Sequence, residues 1–471
     1  MGCVRYPKIQ LSKHLPQLDE SVSIAIRFSA IVRDWCIIIL ACQPGIAPKM
    51  NADLIISNIG QLVTCSSGGK PKRGSAMQDV GLIEDGAVAI TGGKFVGVGP
   101  SNAMLRDFQS DTMIDAESGV VCPGFVDPHT HIVFGGDRLD EFELKIKGAD
   151  YLEILAGGGG IISTVEQTRA ASVDELVEQS RKRLDKMLAC GTTTVEIKTG
   201  YGLDTESEIK MLAVIEDLDK EHAIDIIPTF LAAHAVPPEF KSNANGYVDL
   251  ICNTMLPRAW KWFVASRFYG RVPFFADVFC EKGAFDLAQS KTVLETARSL
   301  GFKLKAHVDE FTNLGGSRLA IELGAVSIDH LDAISDDEIK LLAASNTVGI
   351  VTPPVNFNLG STHFADARRL VDAGCVVALS TDYNPGSAPC PSQPMAMAIA
   401  CRYQKLLPSE AINAATINAA HAIKLGDKVG SIEVGKQADL LIVDSADYRQ
   451  IAYEFGGNLV RTVISKGTVV S

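Results

Sequence analysis

The stretch "GFVDPHTHIVFGGDR", residues 124–138, ends a run of apolar strand formers in two histidines one residue apart. In an extended strand, residues i and i+2 point to the same side. His129 and His131 therefore face one space, where the strand gives way to a loop with two glycines and Arg138. Two imidazoles converging in this way suit a divalent metal ion. A polar strand end without a metal is the plainer alternative, and the elements that follow must decide between them.

Between residues 125 and 382 short apolar runs alternate with amphipathic segments. "DELVEQSRKRLDKMLACG" places Leu176, Val177, Ser180, Leu184, Met187 and Leu188 on one helical face and stops at Gly191. The strand-like runs are the opening stretch, "TTVEIKTGYG", "IDIIPTFLAAH", "ADVFCE", "FKLKAHVDE", "VSIDHL", "TVGIVTP" and "VVALSTD". Eight such β-α units predict an α/β chain built on a (β/α)8, TIM-like barrel, whose active site lies at the C-terminal ends of its strands. In chain order those ends carry His129 and His131, then Lys198, His234, Glu281, the group His307, Asp309 and Glu310, and His330. The seventh has no ionisable residue and the eighth carries Asp382. Packing alone does not gather most of nine histidines at one rim, and this favours the metal. His222 near a helix C-terminus, His363 in a loop, His421 in a helix and His14 need no role.

Strand-rich pieces flank this region. "DLIISNIGQLVT" and "GAVAITGGKFVGVG", the latter with a tight turn at "TGGK", resemble in style "GSIEVGKQADLLIVD" and "NLVRTVISKGTVVS" at the far end. They predict a small β-sandwich domain assembled from residues 50–120 and 425–471, around a barrel spanning 121–424. Residues 1–49 are expected to be an extension without catalytic duties, poorly ordered or owed to an upstream start site. Its apolar cluster "WCIIILAC" falls well short of the roughly 20 residues of a spanning helix, and no signal peptide is evident. The run Gly157–Gly160 reads as a loop near the site.

Across 471 residues, 46% hydrophobic and 21% charged side chains describe an ordinary globular protein. A net charge of -12 without a long basic run argues against nucleic acid and membrane partners. Eleven scattered cysteines without a Cys-x-x-Cys pair fit a reducing, cytoplasmic setting. A homodimer is the expected assembly.

His-x-His on the first strand, His on the fifth and sixth and Asp on the eighth together resemble the amidohydrolase superfamily. The resemblance runs from about residue 52 to the C-terminus. It is carried by "PGFVDPHTHIVFGGDR", "VEIKTGYGLD", "PTFLAAHAVPPE", "DVFCEKGAF", "KAHVDEFTNLGG", "DHLDAIS", "STDYNPGS" and "VGSIEVGKQADLLIVD". Of these, "KTGYGLD", "AAHAVPPE" and "TDYNPGS" are more specific than the metal spacing. Two regions depart from the family pattern: a longer, aromatic stretch at 258–275, and "TPPVNFNLG" after the seventh strand.

The resemblance implies hydrolysis of a carbon–nitrogen bond in a small cyclic amide. It implies one divalent ion, Zn2+ or Fe2+/Fe3+, on His129, His131, His307 and Asp382. Asp382, Glu310 and His330 would be catalytic: Asp382 as proton acceptor, Glu310 assisting proton transfer, His330 orienting the nucleophile or stabilising the attacked carbonyl. Glu310 has a plainer reading as a helix-start acid. Tyr151, Tyr201, His234, Glu310, Asn384, Gly386 and Ser387 would contact substrate. Arg138 suits a two-point clamp on a carboxylate tail, with a surface salt bridge as its plainer reading. Lys198 stays open between an ion-pair residue and, when modified by carbon dioxide, a bridge between two metals. The rival readings are a dihydroorotase-, hydantoinase- or guanine-deaminase-like enzyme with the same metal site, and a catalytically silent scaffold.

Overall fold

The computed structural model describes residues 49–148 and 159–471. Tyr151, most of the expected N-terminal extension and the first half of the tetraglycine run lie outside the described residues. Within Met50–Ser471 all eight expected barrel strands form. They are Phe125–Asp127, Thr192–Lys198, Asp225–Ala233, Phe275–Cys280, His307–Val308, Ser327–His330, Val348–Val351 and Val376–Leu379. Each pairs in parallel with its neighbour in chain order. The last meets the first through the bridge Thr130–Tyr383 and the bond His131 N to Tyr383 O, 2.9 Å. The mixed α/β architecture is a (β/α)8 barrel.

Parallel strands covered on both faces should read as unbroken apolar runs, yet several of these do not. Thr192–Lys198 is buried throughout, with Glu196 and Lys198 on one side of the pleat and Val195 and Ile197 on the other. The outward set meets the helix layer, where Leu176, Leu184 and Met187 of the helix Val173–Ala189 belong to the same core. That helix begins in a capping box between Ser172 and Glu175 and ends just before Gly191, whose φ is +93°. The inward set makes the barrel interior polar, and the site rests on it.

A mixed sheet joins strands that precede the barrel to strands that follow it. Leu440–Val443 lies antiparallel to Val120–Pro123, which pairs with Leu54–Val63, and Leu82–Thr91 and Lys94–Pro100 continue the sheet. Gly92 and Gly93 form the tight "TGGK" turn, both at positive φ. Alternate residues feed two apolar clusters: Ile56, Leu62 and Val88 in one, Ile55, Ala87 and Ala89 in the other.

The aromatic stretch at 258–275 is an outer-layer core. Phe263 stacks on Phe274 at 4.7 Å, and Phe302 covers Phe274 at 4.7 Å and Trp260 at 5.2 Å. Phe274 immediately precedes the fourth strand, so the cluster sits at the end of the barrel opposite to the histidines. Among the described residues, no helix is long and apolar enough to cross a membrane.

Candidate metal centre and substrate pocket

Four candidate donors converge at the C-terminal end of the barrel. His131 Nε2 lies 3.3 Å from His129 Nε2 and 3.4 Å from His307 Nε2. Asp382 Oδ1 lies 3.4 Å from His129 Nε2 and 3.5 Å from His131 Nε2. Tetrahedral ligands at zinc's usual 2.0–2.1 Å are about 3.3 Å apart, and these four separations match that spacing. Asp382 Oδ1 is buried and has no hydrogen-bond partner among the described residues. Burial holds the His129 and His131 rings well below the ordinary histidine pKa, as neutral imidazoles with a free lone pair.

The polar interior aims these ligands. Asp329 Oδ2 accepts from His129 Nδ1 at 2.7 Å, which leaves Nε2 free toward the cluster. Asp277 Oδ2 lies 3.1 Å from His307 Nδ1. Lys198 Nζ then ties the carboxylates together, at 2.8 Å from Glu196, 2.7 Å from Asp277 and 3.5 Å from Asp329. Burial opposes its charge, but Asp277, Glu196 and Asp329 hold its pKa above the ordinary lysine value. Lys305 donates to Pro128 O at 2.8 Å, just before His129. Asp127 accepts from Thr381 Oγ1 and N, fixing the turn into Asp382.

The outer candidates divide. His330 turns back at φ +85°, with Nδ1 3.1 Å from Thr352 Oγ1 and Nε2 3.7 Å from Glu310 Oε2. Asp309 and Asp382 also have positive φ, 55° and 49°. Three such non-glycine residues at strand ends mark backbone strain held by the surrounding structure. Burial, then the nearby Asp382, pushes the Glu310 carboxyl well above its ordinary pKa. Glu281 faces the backbone instead, accepting from Phe311 N and Thr312 N at 3.0 Å each, and so anchors the loop that follows Glu310.

Tyr201 and His234 line one wall. His234 stacks on His131 at 4.9 Å with an 18° interplanar angle, and Tyr201 lies 5.4 Å from His234. In the loop after the eighth strand, Asn384 Oδ1 accepts from Gly386 N and Ser387 N, while its Nδ2 donates to Asp382 O. Asn384 thus shapes the loop it begins. Gly386 presses against Arg138, where an added Cβ would sit 3.0 Å from Nη1. Arg138 is neither a surface residue nor unpaired. Its Nε donates to Glu141 Oε2 at 2.5 Å, and its side chain is 11% exposed. Spacing along the sequence does not single out Asp329, Asp277, Glu196 or Thr352, and only the three acids leave a signal. The signal available was a charge in the middle of a strand, as in "TVEIK", "ADVF" and "SIDH".

This fold and site define a metal-dependent hydrolase of the amidohydrolase class. An amidohydrolase family profile matches residues 285–470. Among solved structures, a zinc-containing adenosine deaminase from Xanthomonas campestris shares the fold with a TM-score of 0.64 and 22% identity, covering 90% of this chain and 93% of that one. Guanine deaminase from E. coli does so with a TM-score of 0.63 and 16% identity, over 88% and 99%. In sequence, the chain is 54% identical to imidazolonepropionase of Chloroflexus aggregans, over 89% of this chain and 98% of that protein. It is 51% identical to imidazolonepropionase of Herpetosiphon aurantiacus, over 89% and 97%. The chain belongs to the imidazolonepropionase family.

Proposed function

We propose that the chain opens the ring of 4-imidazolone-5-propanoate by hydrolysis, giving N-formimidoyl-L-glutamate. The observation that carries the chemistry is the 3.3–3.5 Å spacing of three imidazole nitrogens and an orphaned carboxylate oxygen. The choice of substrate rests on the family. His129, His131, His307 and Asp382 would hold one Zn2+ or Fe2+/Fe3+ ion, which would supply Lewis acidity and lower the pKa of water toward roughly 7. A second, lysine-bridged ion is disfavoured, because reaction with carbon dioxide needs a neutral amine and Lys198 is a paired ammonium.

The protein's own groups carry the rest. Water adds to the ring carbonyl carbon, the bond from that carbon to its ring nitrogen breaks, and the nitrogen leaves with a proton. Asp382 takes the proton from water, and Glu310, whose carboxyl burial pushes above its ordinary pKa, assists delivery to the nitrogen. A Thr352 hydroxyl donating to His330 Nδ1 leaves Nε2–H for the carbonyl oxygen. A panel of imidazolone propanoate, a hydantoin and guanine, with metal measured on the same preparation, tests this reading. Turnover of only the latter two would overturn it.

Arg138 would hold the carboxylate tail, since Glu141 occupies Nε and Nη2 and leaves Nη1 beside Gly386. Arg138→Ala should raise KM roughly ten- to a hundredfold, the value of a charge-assisted contact worth about 1.5–3 kcal/mol, with a smaller loss in kcat. Glu141 keeps Lys145 and Gly160 N as partners, so folding should survive. Arg138→Lys should recover only part of the affinity. An unchanged KM in both variants would remove the clamp.

Every candidate site residue follows Met50. The chain shortened to begin there should keep its melting temperature and turnover, and loss of either would make residues 1–49 integral.

A further inference from the structure

The motif "TGYGLDTESE" holds a buried carboxylate that the mechanism above does not use. Glu208 lies in the first turns of the helix Thr205–Glu221 and folds back over the loop preceding it. Its Oε1 accepts from Gly202 N at 2.8 Å and Leu203 N at 2.9 Å, and both oxygens lie 3.1 Å from Gly200 N. The side chain is fully buried. It thus fixes the loop that carries Tyr201 at three amides, near a helix N-terminus where negative charge is favoured.

Gly200 also reaches the pocket, through its carbonyl. Gly200 O lies 3.0 Å from His234 Nδ1. A carbonyl only accepts, so Nδ1 carries the proton and Nε2 holds the lone pair. Gly200 must be glycine here. Its φ is +108°, and a Cβ would lie 2.9 Å from His234 Nδ1 and 3.0 Å from Leu231 O. Ring nitrogens of His131, His234 and His307 lie within 4.8 Å of one another, so His234 borders the proposed reacting centre.

We propose that Glu208 is a positioning residue: by fixing the loop at Gly200 it holds the Gly200 carbonyl against His234 and so keeps His234 as the Nδ1–H tautomer, with Nε2 accepting the substrate's ring N–H. The inference rests on the ring-opening reading above, but its first readout needs no substrate.

In protein labelled with 15N-histidine, the His234 signals, assigned with His234→Gln, should show one tautomer with Nδ1 protonated. In Glu208→Ala they should shift toward a mixture. KM for imidazolone propanoate should rise roughly three- to tenfold, the worth of one neutral hydrogen bond, with metal content retained. Glu208→Gln keeps one acceptor oxygen and should recover most of both effects. If Glu208→Ala does not fold, Glu208→Gln carries the test, with a partial tautomer shift and a smaller KM rise expected. An unchanged tautomer and KM in whichever variant folds would overturn the proposal. Failure of the wild type to turn over imidazolone propanoate, with the tautomer shift present, would overturn only the substrate.

Discussion

Replacing His131 with alanine should abolish stoichiometric metal binding and lower turnover by roughly a thousandfold or more, while leaving the barrel folded. The scale follows from the chemistry: a metal that polarises a carbonyl and acidifies water contributes several kcal/mol to the barrier, and each 1.36 kcal/mol is about tenfold in rate. Among the four donors His131 is the most central in the measured spacing, with Nε2 within 3.3–3.5 Å of His129, His307 and Asp382. Its removal cannot be made good by rotation of one neighbour. The fold should survive because the ring stands past the end of the first strand. It stacks on His234 and lies near Tyr201, outside the buried aliphatic contacts between sheet and helices. His234→Ala is the control: it removes the stacked ring yet should keep one ion per chain. Metal analysis, circular dichroism and turnover on the same preparations decide the matter. Wild-type stoichiometry in His131→Ala would strike His131 from the ligand set.

How far the sequence could be read depended on whether a feature was local. The His-x-His pair is local: i and i+2 share a side in extended chain, and the two residues follow the first strand, Phe125–Asp127, within four positions. The eight strands are also local, since each is a short, largely apolar run, and "TTTVEIK" before "TGYG" shows one that is β-branched and bounded by turn residues. What stayed hidden is set by register between strands. His307 pairs with Asp329 and Lys198 with Thr229, and no spacing along the chain announces either alignment. The roles of Asp277, Asp329 and Glu196 follow from it. Side-chain direction was likewise out of reach. Asn384 lies beside Asp382 in sequence, and nothing in that position announces that its amide closes its own turn. In sequence Arg138 reads equally as a clamp or a surface salt bridge, and the structure gives a sheltered pair with Glu141, three residues on. The positive φ at His330 leaves no mark in sequence, because only a glycine there would have signalled it.

Lys198→Met should be the most destabilising of the substitutions considered, by about 3–5 kcal/mol, because it leaves buried charges without their partner. The interior holds three carboxylates, Glu196, Asp277 and Asp329, against the two ammonium groups of Lys198 and Lys305. Lys198 touches two of the acids at hydrogen-bond distance, whereas Lys305 stays 3.9 Å from Glu196 and Asp329. Burial also lowers the Lys305 pKa, so it is the weaker counter-charge. Methionine fills the space of the lysine stem but supplies no donor. Asp277 and Asp329 then lose the anchor that steadies them beside His307 and His129, and metal affinity should fall roughly ten- to a hundredfold, as for loss of other groups that orient metal ligands. Removing one of the stranded charges should restore part of the stability, so Lys198→Met with Glu196→Gln is expected to lie between the single variant and wild type in a denaturant titration. The ion count separates this from a bridging role. Folded Lys198→Met should still take up one ion per chain when metal is supplied in excess. Two ions in the wild type, both lost in the variant, would instead make Lys198 a ligand.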